Sequence, residues 1–148
     1  MDIKIIKANK KHIKDISILF DLYRQFYKYK KDLNSSRNYI SERIQNNESI
    51  IFIALNNKKT TGFVQLYATF DSLNLNKKLV LYDLYVLTEF RKLGIGRKLM
   101  NKSKDYAIRN KYSRIELSTS INNTNAQKLY SSLDYIRDKE YYNYDLEL

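Results

Sequence analysis

The chain has 148 residues, 43% of them hydrophobic and 29% charged, enough for one domain with a buried core. It has no cysteine, which excludes disulfides, thiolate metal sites and a cysteine nucleophile, and its single histidine, His12, argues against a serine–histidine triad or a multi-histidine metal centre. The net charge of +11 suits a polyanion, nucleic acid or a phosphate-rich cofactor, yet the lysines are dispersed along the chain and only those near residue 94 cluster, so most of the excess reads as composition.

Lysines interrupt every apolar run in the opening "MDIKIIKANKKHIKDI", so no signal-peptide core is present. No later run approaches the roughly 18–20 residues of a membrane span. These features fit a cytoplasmic protein. Residues 3–8, "IKIIKA", read as a first strand. Ile13, Ile16, Leu19, Phe20, Tyr23, Phe26 and Tyr27 recur at helical spacing and predict a helix over residues 11–30. His12, near its start, is expected to be a surface or capping residue. A second helix is expected over 35–47, with a serine cap. Residues 49–55 and 61–70 read as a hairpin joined by "NNKKT". Residues 79–87, "LVLYDLYVL", are apolar on both faces, as a central strand should be. A helix over about 94–110, a strand over 113–120 and a short helix over 122–133 follow. The tyrosine-rich tail reads as two strands or a hairpin, with its rings in a core or subunit interface. The order β-α-α-β-β-β-α-β-α-β-β predicts a single α/β (α+β) domain over 1–148, a mixed and mostly antiparallel sheet flanked by helices.

Residues 89–100, "EFRKLGIGRKLM", hold two of the three glycines, between the central strand and a helix. A strand-to-helix turn exposes helix amides that lack internal partners, and these with the helix dipole favour an anion. Glycine admits unusual dihedrals and close approach of a phosphate. With Arg91, Lys92, Arg97 and Lys98 alongside, Arg91 to Arg97 reads as a phosphate cradle. The same spacing serves a tight turn with close helix–strand packing, and spacing alone leaves both open. Leu99 stands where a Rossmann fingerprint needs its third glycine, and no Gly-Lys-Ser/Thr is present.

"YVLTEFRKLGIGRKLM" resembles the signature of the GNAT superfamily of acyl-CoA-dependent N-acyltransferases, Gln/Arg-x-x-Gly-x-Gly/Ala, with Arg91, Gly94 and Gly96 filling it. Downstream, "NTNAQKLYSSLDY" resembles the family's Asn-x-x-Ala-x-x-x-Tyr helix, with Asn123, Ala126 and Tyr130 in place. Thr88 stands where the family often has proline, and Asp134-Tyr135 where it has Gly-Phe. The resemblance implies the GNAT fold over essentially the whole chain, acetyl-CoA as cosubstrate and no metal. It also implies transfer of acetyl to a primary amine by direct attack. The pyrophosphate of coenzyme A would then lie on main-chain amides around Lys92, Leu93, Gly94, Ile95, Gly96 and Arg97, with Arg97 or Lys98 near other phosphates. A backbone amide near Val86 or Leu87 would polarise the thioester carbonyl. Arg91, Asn123 and Ala126 would also contact the cofactor, and Tyr130, on the same short helix beside it, would occupy the general-acid position; its ring also fits the apolar face with Ala126 and Leu133.

An acceptor alkylamine with pKa near 10.4 needs a base or a low-dielectric pocket at neutral pH. Asp83, a carboxylate inside an apolar strand, is the candidate base or amine ligand; a structural ion pair with a lysine or arginine is the other reading. Water relayed from Asp83, Tyr82 or Tyr85 would serve as well as direct abstraction. A loose resemblance to the diamine acetyltransferase branch suggests a small amine or polyamine acceptor, with Asp71 and Asp83, joined by Asp32 or Glu89, binding it. A protein lysine or N-terminus is the alternative acceptor. A nucleic-acid-binding module would gather basic and aromatic residues on one face, a pattern the scattered lysines do not give. A coenzyme-binding domain without catalysis would have no need of Tyr130. The family analogy also suggests a homodimer.

Overall fold

The computed structural model describes residues 1–148. Its elements are β1 (Ile3–Lys7), α1 (Ile13–Phe26), α2 (Leu33–Gln45), β2 (Ile50–Asn56), β3 (Lys59–Asp71), β4 (Asn76–Val86), α3 (Ile95–Arg109), β5 (Ile115–Leu117) and α4 (Thr124–Ser131). The strands form one sheet in chain order, β1-β2-β3-β4-β5. Neighbours from β1 to β4 are antiparallel, whereas β5 is parallel to β4, and α3 supplies the crossover that parallel pairing requires. The chain divides into two compact units, Met1–Ser118 and Thr119–Leu148.

Local chemistry fixes the helix starts. Asn9 and His12 form a capping box ahead of α1: the Asn9 side chain accepts from Lys11 N–H at 3.0 Å, and His12 Nδ1 accepts from Asn9 N–H at 3.1 Å. Asp32, not a serine, caps α2 by accepting from Ser35 N–H. Buried Asp21 then ties the two helices together. It accepts from the Asp32 amide, the Ser36 hydroxyl and the Gln25 amide. Burial alone would raise this carboxyl's pKa, but those hydrogen bonds and Arg24 hold it below the usual range.

Alternation along the strands assigns the two faces of the sheet. Ile51, Ile53 and Phe63 pack with Ile16, Leu19 and Phe20 of α1 and Ile40 of α2. Phe52, Val64, Leu66, Leu79 and Leu81 are buried on the opposite face, the face of α3, whose inward residues are Ile95, Leu99, Met100 and Ala107. Tyr106 of α3 reaches this side with its ring 5.6 Å from that of Phe52.

Two irregularities in β4 set up the site. Leu81 pairs with Leu66 but Asp83 pairs with Gln65, so Tyr82 is the extra residue of a β-bulge. The bulge reverses the alternation, and Asp83 lies on the α1/α2 face although Leu79 and Leu81 lie on the α3 face. In addition, β5 pairs only with residues 79–81, so no strand pairs with the outer edge of residues 82–86.

The second unit contains α4 and no strand, which corrects the two strands expected in the tail. Asp138 accepts from the amides of Glu140 and Tyr141, a local turn that competes with strand pairing. Tyr141, Tyr142 and Tyr144 are exposed, so these three rings belong to no core within the chain.

Gly62 pairs with Val86 at the end of β4. A Cβ there would stand 2.9 Å from the Tyr85 carbonyl oxygen and 3.2 Å from Val86 Cγ2. Gly62→Ala should therefore lower stability by about 1–3 kcal/mol, read as a fall in the urea midpoint. An unchanged midpoint would show that the two strands separate freely at this point.

Candidate active site

Asp83 is the buried centre of the site, with 4% of its surface exposed. Its Oδ2 accepts from Gln65 Nε2 at 2.7 Å, and Gln65 Oε1 accepts from Ser49 Oγ at 2.7 Å. Gln65 is itself wholly buried, so its amide is held between these two partners. The Tyr23 hydroxyl donates to the Tyr82 carbonyl at 3.1 Å and also hydrogen-bonds to the Asp83 carboxylate. None of the chain's ion pairs includes Asp83, which corrects the structural ion pair held open from the sequence. Burial pushes its carboxyl above the ordinary carboxylate range, and the hydrogen bonds from Gln65 and Tyr23 only partly oppose this. Nearby, the Tyr39 and Tyr67 hydroxyls lie 2.7 Å apart. Burial, the Tyr39 hydroxyl and the Asp83 charge all push the Tyr67 phenol upward.

The other carboxylates considered for a cationic ligand are committed elsewhere. Asp32 caps α2. Asp71 Oδ2 accepts from Asn74 and Ser113 and pairs with Arg114. Glu89 pairs with Lys59 at 3.2 Å.

The last backbone groups of β4 point in opposite directions. Leu87 N–H donates to Thr61 O at 2.9 Å, so this amide is already used. Antiparallel alternation then turns the Val86 N–H and C=O away from β3, toward the edge that β5 does not reach. Arg91 Nε donates to that Val86 carbonyl at 2.9 Å. Its guanidinium lies over the rings of Tyr85 at 5.3 Å and Phe26 at 5.7 Å. Arg91 thus fastens the bend to the end of β4.

Beyond it the chain turns sharply. Phe90 N–H closes on Leu87 O and Arg91 N–H on Thr88 O. Lys92 and Gly94 both take positive φ, 61° and 76°, whereas Gly96 lies within the first turn of α3 without one. The first helical bond runs from Lys98 N–H to Gly94 O at 3.1 Å. The amides of Lys92, Leu93, Gly94, Ile95 and Gly96 donate to no carbonyl of the chain. No atom lies within 4 Å of the point where a Cβ on Gly94 would stand. Arg91, Lys92, Arg97 and Lys98 are exposed around this space, while Ile95 is buried and anchors the turn. Acceptor-free amides, a helix N-terminus, a Cβ-free approach and four cations together favour an anion such as a diphosphate.

Asn123, Ala126 and Tyr130 belong to the second unit. Asn123 Oδ1 accepts from Ala126 N–H at 3.3 Å, so this pair forms the N-cap of α4. Tyr130 lies on α4 with its ring 6.1 Å from that of Tyr135. Tyr135 N–H and Leu133 N–H both donate to Tyr130 O. No group of three or more His, Asp or Glu side chains is placed to hold a metal ion, and no helix is long and apolar enough to cross a membrane.

Sequence reasoning had placed Tyr23 only on a helical face and had not singled out Gln65, Ser49, Tyr39 or Tyr67. Gln65 carried a signal, as the one amide side chain in the strand "TGFVQLYATF". The bulge that brings it opposite Asp83 did not.

Two outcomes follow from this geometry. Gly94→Ala imposes positive φ on a residue with a Cβ, at about 1–2 kcal/mol, and projects that Cβ into the open space above the amides. Its acetyl-CoA Kd should rise about tenfold or more by titration calorimetry, roughly 1.4 kcal/mol, in a protein that still folds. Asp83 holds its proton more tightly folded than unfolded, so its contribution to stability is present at low pH and is lost as pH rises through the raised folded value. Asp83→Asn should remove that decline: urea titrations should show the variant gaining on the parent as pH rises above about 4, the ordinary carboxylate value. A pH-independent difference would show that Asp83 titrates normally.

The family model described as acetyltransferase (GNAT) family matches residues 16–135. The uncharacterized N-acetyltransferase YhfO of Bacillus subtilis is 36% identical over 133 residues, covering 90% of this chain and 89% of that protein. A crystal structure of a probable acetyltransferase superposes with a TM-score of 0.92 at 35% identity, covering 98% of this chain and 97% of the other. The aminoglycoside N-acetyltransferase AAC(6')-Iy in complex with CoA shares the fold, with a TM-score of 0.84 at 19% identity over 99% and 96% of the two chains. The chain belongs to the GNAT family and is an acetyl-CoA-dependent N-acetyltransferase.

Proposed function

We propose that the protein transfers an acetyl group to a small primary amine by direct attack at the end of β4, with Asp83 receiving the amine and Val86 N–H receiving the carbonyl oxygen. One observation carries this reading. Within four residues β4 presents a buried carboxylate without a cation and an amide turned away from β3, and a bend of acceptor-free amides follows. Acetyl-CoA supplies the acyl group as an activated thioester. The amides of residues 92–97 hold its pyrophosphate, and Arg97 and Lys98 add positive charge. Val86 N–H rather than Leu87 N–H is the donor for the reacting carbonyl, because Leu87 is bonded to Thr61. A preorganised donor of this kind typically lowers a barrier by about 3 kcal/mol.

Asp83 acts on the proton. An alkylammonium of pKa about 10.4 is neutral at pH 7 only at a cost of roughly 4.6 kcal/mol. A carboxylate with a raised pKa is the better acceptor for that proton. Tyr130, in the position of the family's general acid, returns a proton to the departing sulfur. Asn123 and Ala126 support it by setting the start of α4.

A panel of primary amines, with release of free thiol followed continuously, tests the reaction. Tyr130→Phe should lower kcat by about 10²-fold with acetyl-CoA affinity unchanged. A full kcat in that variant would assign the acid to another group. In the parent enzyme, activity should fall as pH drops through the raised Asp83 value, since a protonated carboxyl accepts nothing. Asp83→Asn should lose this limb together with most of its turnover.

A further inference from the structure

We infer that the acceptor is a primary amine carrying a single positive charge and a largely apolar remainder, and that polyamines are discriminated against. The inference rests on the reading of Asp83 as the amine-binding carboxylate. In the first unit Asp83 is the one carboxylate of the four considered that has neither a cation nor a cap to serve. Asp32 is spent on the α2 start, Asp71 on Arg114 and its turn, and Glu89 on Lys59. One ammonium therefore finds one uncompensated partner.

The surroundings of that partner are rings. The Tyr23 hydroxyl reaches Asp83, and the Tyr23 ring stands edge-on to Phe63 at 6.3 Å. The Asp83 charge acts on the Tyr67 phenol, whose ring lies 5.7 Å from that of Tyr82. Aromatic faces with one carboxylate suit a desolvated ammonium on a hydrocarbon stem. They offer nothing to a second ammonium a few carbons away. The Arg91 guanidinium over Tyr85 and Phe26 belongs to no ion pair and would repel it. The net charge of +11 acts the same way at longer range, and more strongly on each added charge of the acceptor.

The transfer balances for such an amine. Its nitrogen lone pair forms the C–N bond and the C–S bond breaks. The ammonium proton passes to Asp83 and from there to solvent; the thiolate takes a proton from Tyr130 or water, and the second proton, shed by the acylated nitrogen, restores that donor. Nothing else is consumed.

The test compares amines of matched length, n-butylamine with 1,4-diaminobutane and n-hexylamine with 1,6-diaminohexane, with spermidine added. Rates are expressed per free-base amino group. The expected result is a kcat/KM for each monoamine at least about tenfold above its diamine, with the gap narrowing as salt screens long-range repulsion. Diamines or spermidine matching or exceeding the monoamines would overturn the inference while leaving amine acetylation at Asp83 standing. If protein that binds acetyl-CoA in calorimetry acetylates no amine in the panel, the parent reading falls and this inference falls with it.

Discussion

From Tyr82 to Val86, β4 is hydrogen-bonded to β3 on one side and to no strand on the other. An open strand edge normally invites unwanted pairing. Here the exposed length is short, bulged at one end and closed at the other by Arg91 on the Val86 carbonyl. Every group assigned to the first unit's chemistry depends on this segment. The bulge turns Asp83 onto the face of α1 and α2. The regular alternation after it turns Val86 N–H to the open edge. The end of pairing releases the chain into the bend that starts α3.

Two opposed electrostatic environments result within a dozen residues. Asp83 is buried with only neutral partners, Gln65 and Tyr23, so its charge is poorly compensated. The bend is basic, with an uncapped helix N-terminus. Arg91 could have bridged the two. A guanidinium on Asp83 would have lowered the carboxyl's pKa and weakened it as a base. Instead its Nε is spent on a carbonyl and its plane on two rings, so the positive charge stays at the bend and Asp83 is left without a cation.

Much of this was legible from residues alone. Nine elements come in the expected order because their hydrophobic spacing is regular, and the bend was visible because glycine is so scarce. Asp83 stood out as a carboxylate in an apolar run. Its face did not, since Leu79, Leu81 and Asp83 continue an unbroken period of two in the sequence. Only the pairing register shows that one residue has been skipped. The same register decides between Val86 and Leu87, which composition cannot separate. The α2 cap was misplaced because Asp32 and Ser35 are both competent caps three residues apart. The tail strands failed for a different reason: alternating tyrosines suggest a strand, but Asp138 satisfies the nearby amides locally.

The scarcity of glycine has one physical account. Gly94 takes a φ of 76° and leaves open space beside it, and Gly96 carries no side chain in the first turn of α3. The third glycine, Gly62, is distant in sequence yet pairs with Val86, against which no Cβ would fit. That close approach keeps β3 against the last residues of β4 and lets Leu87 N–H reach Thr61. With Leu87 committed inward, the pleat leaves Val86 no direction but outward. All three glycines therefore serve the few residues where β4 ends, two in the bend that follows it and one by setting which amide turns to the open edge.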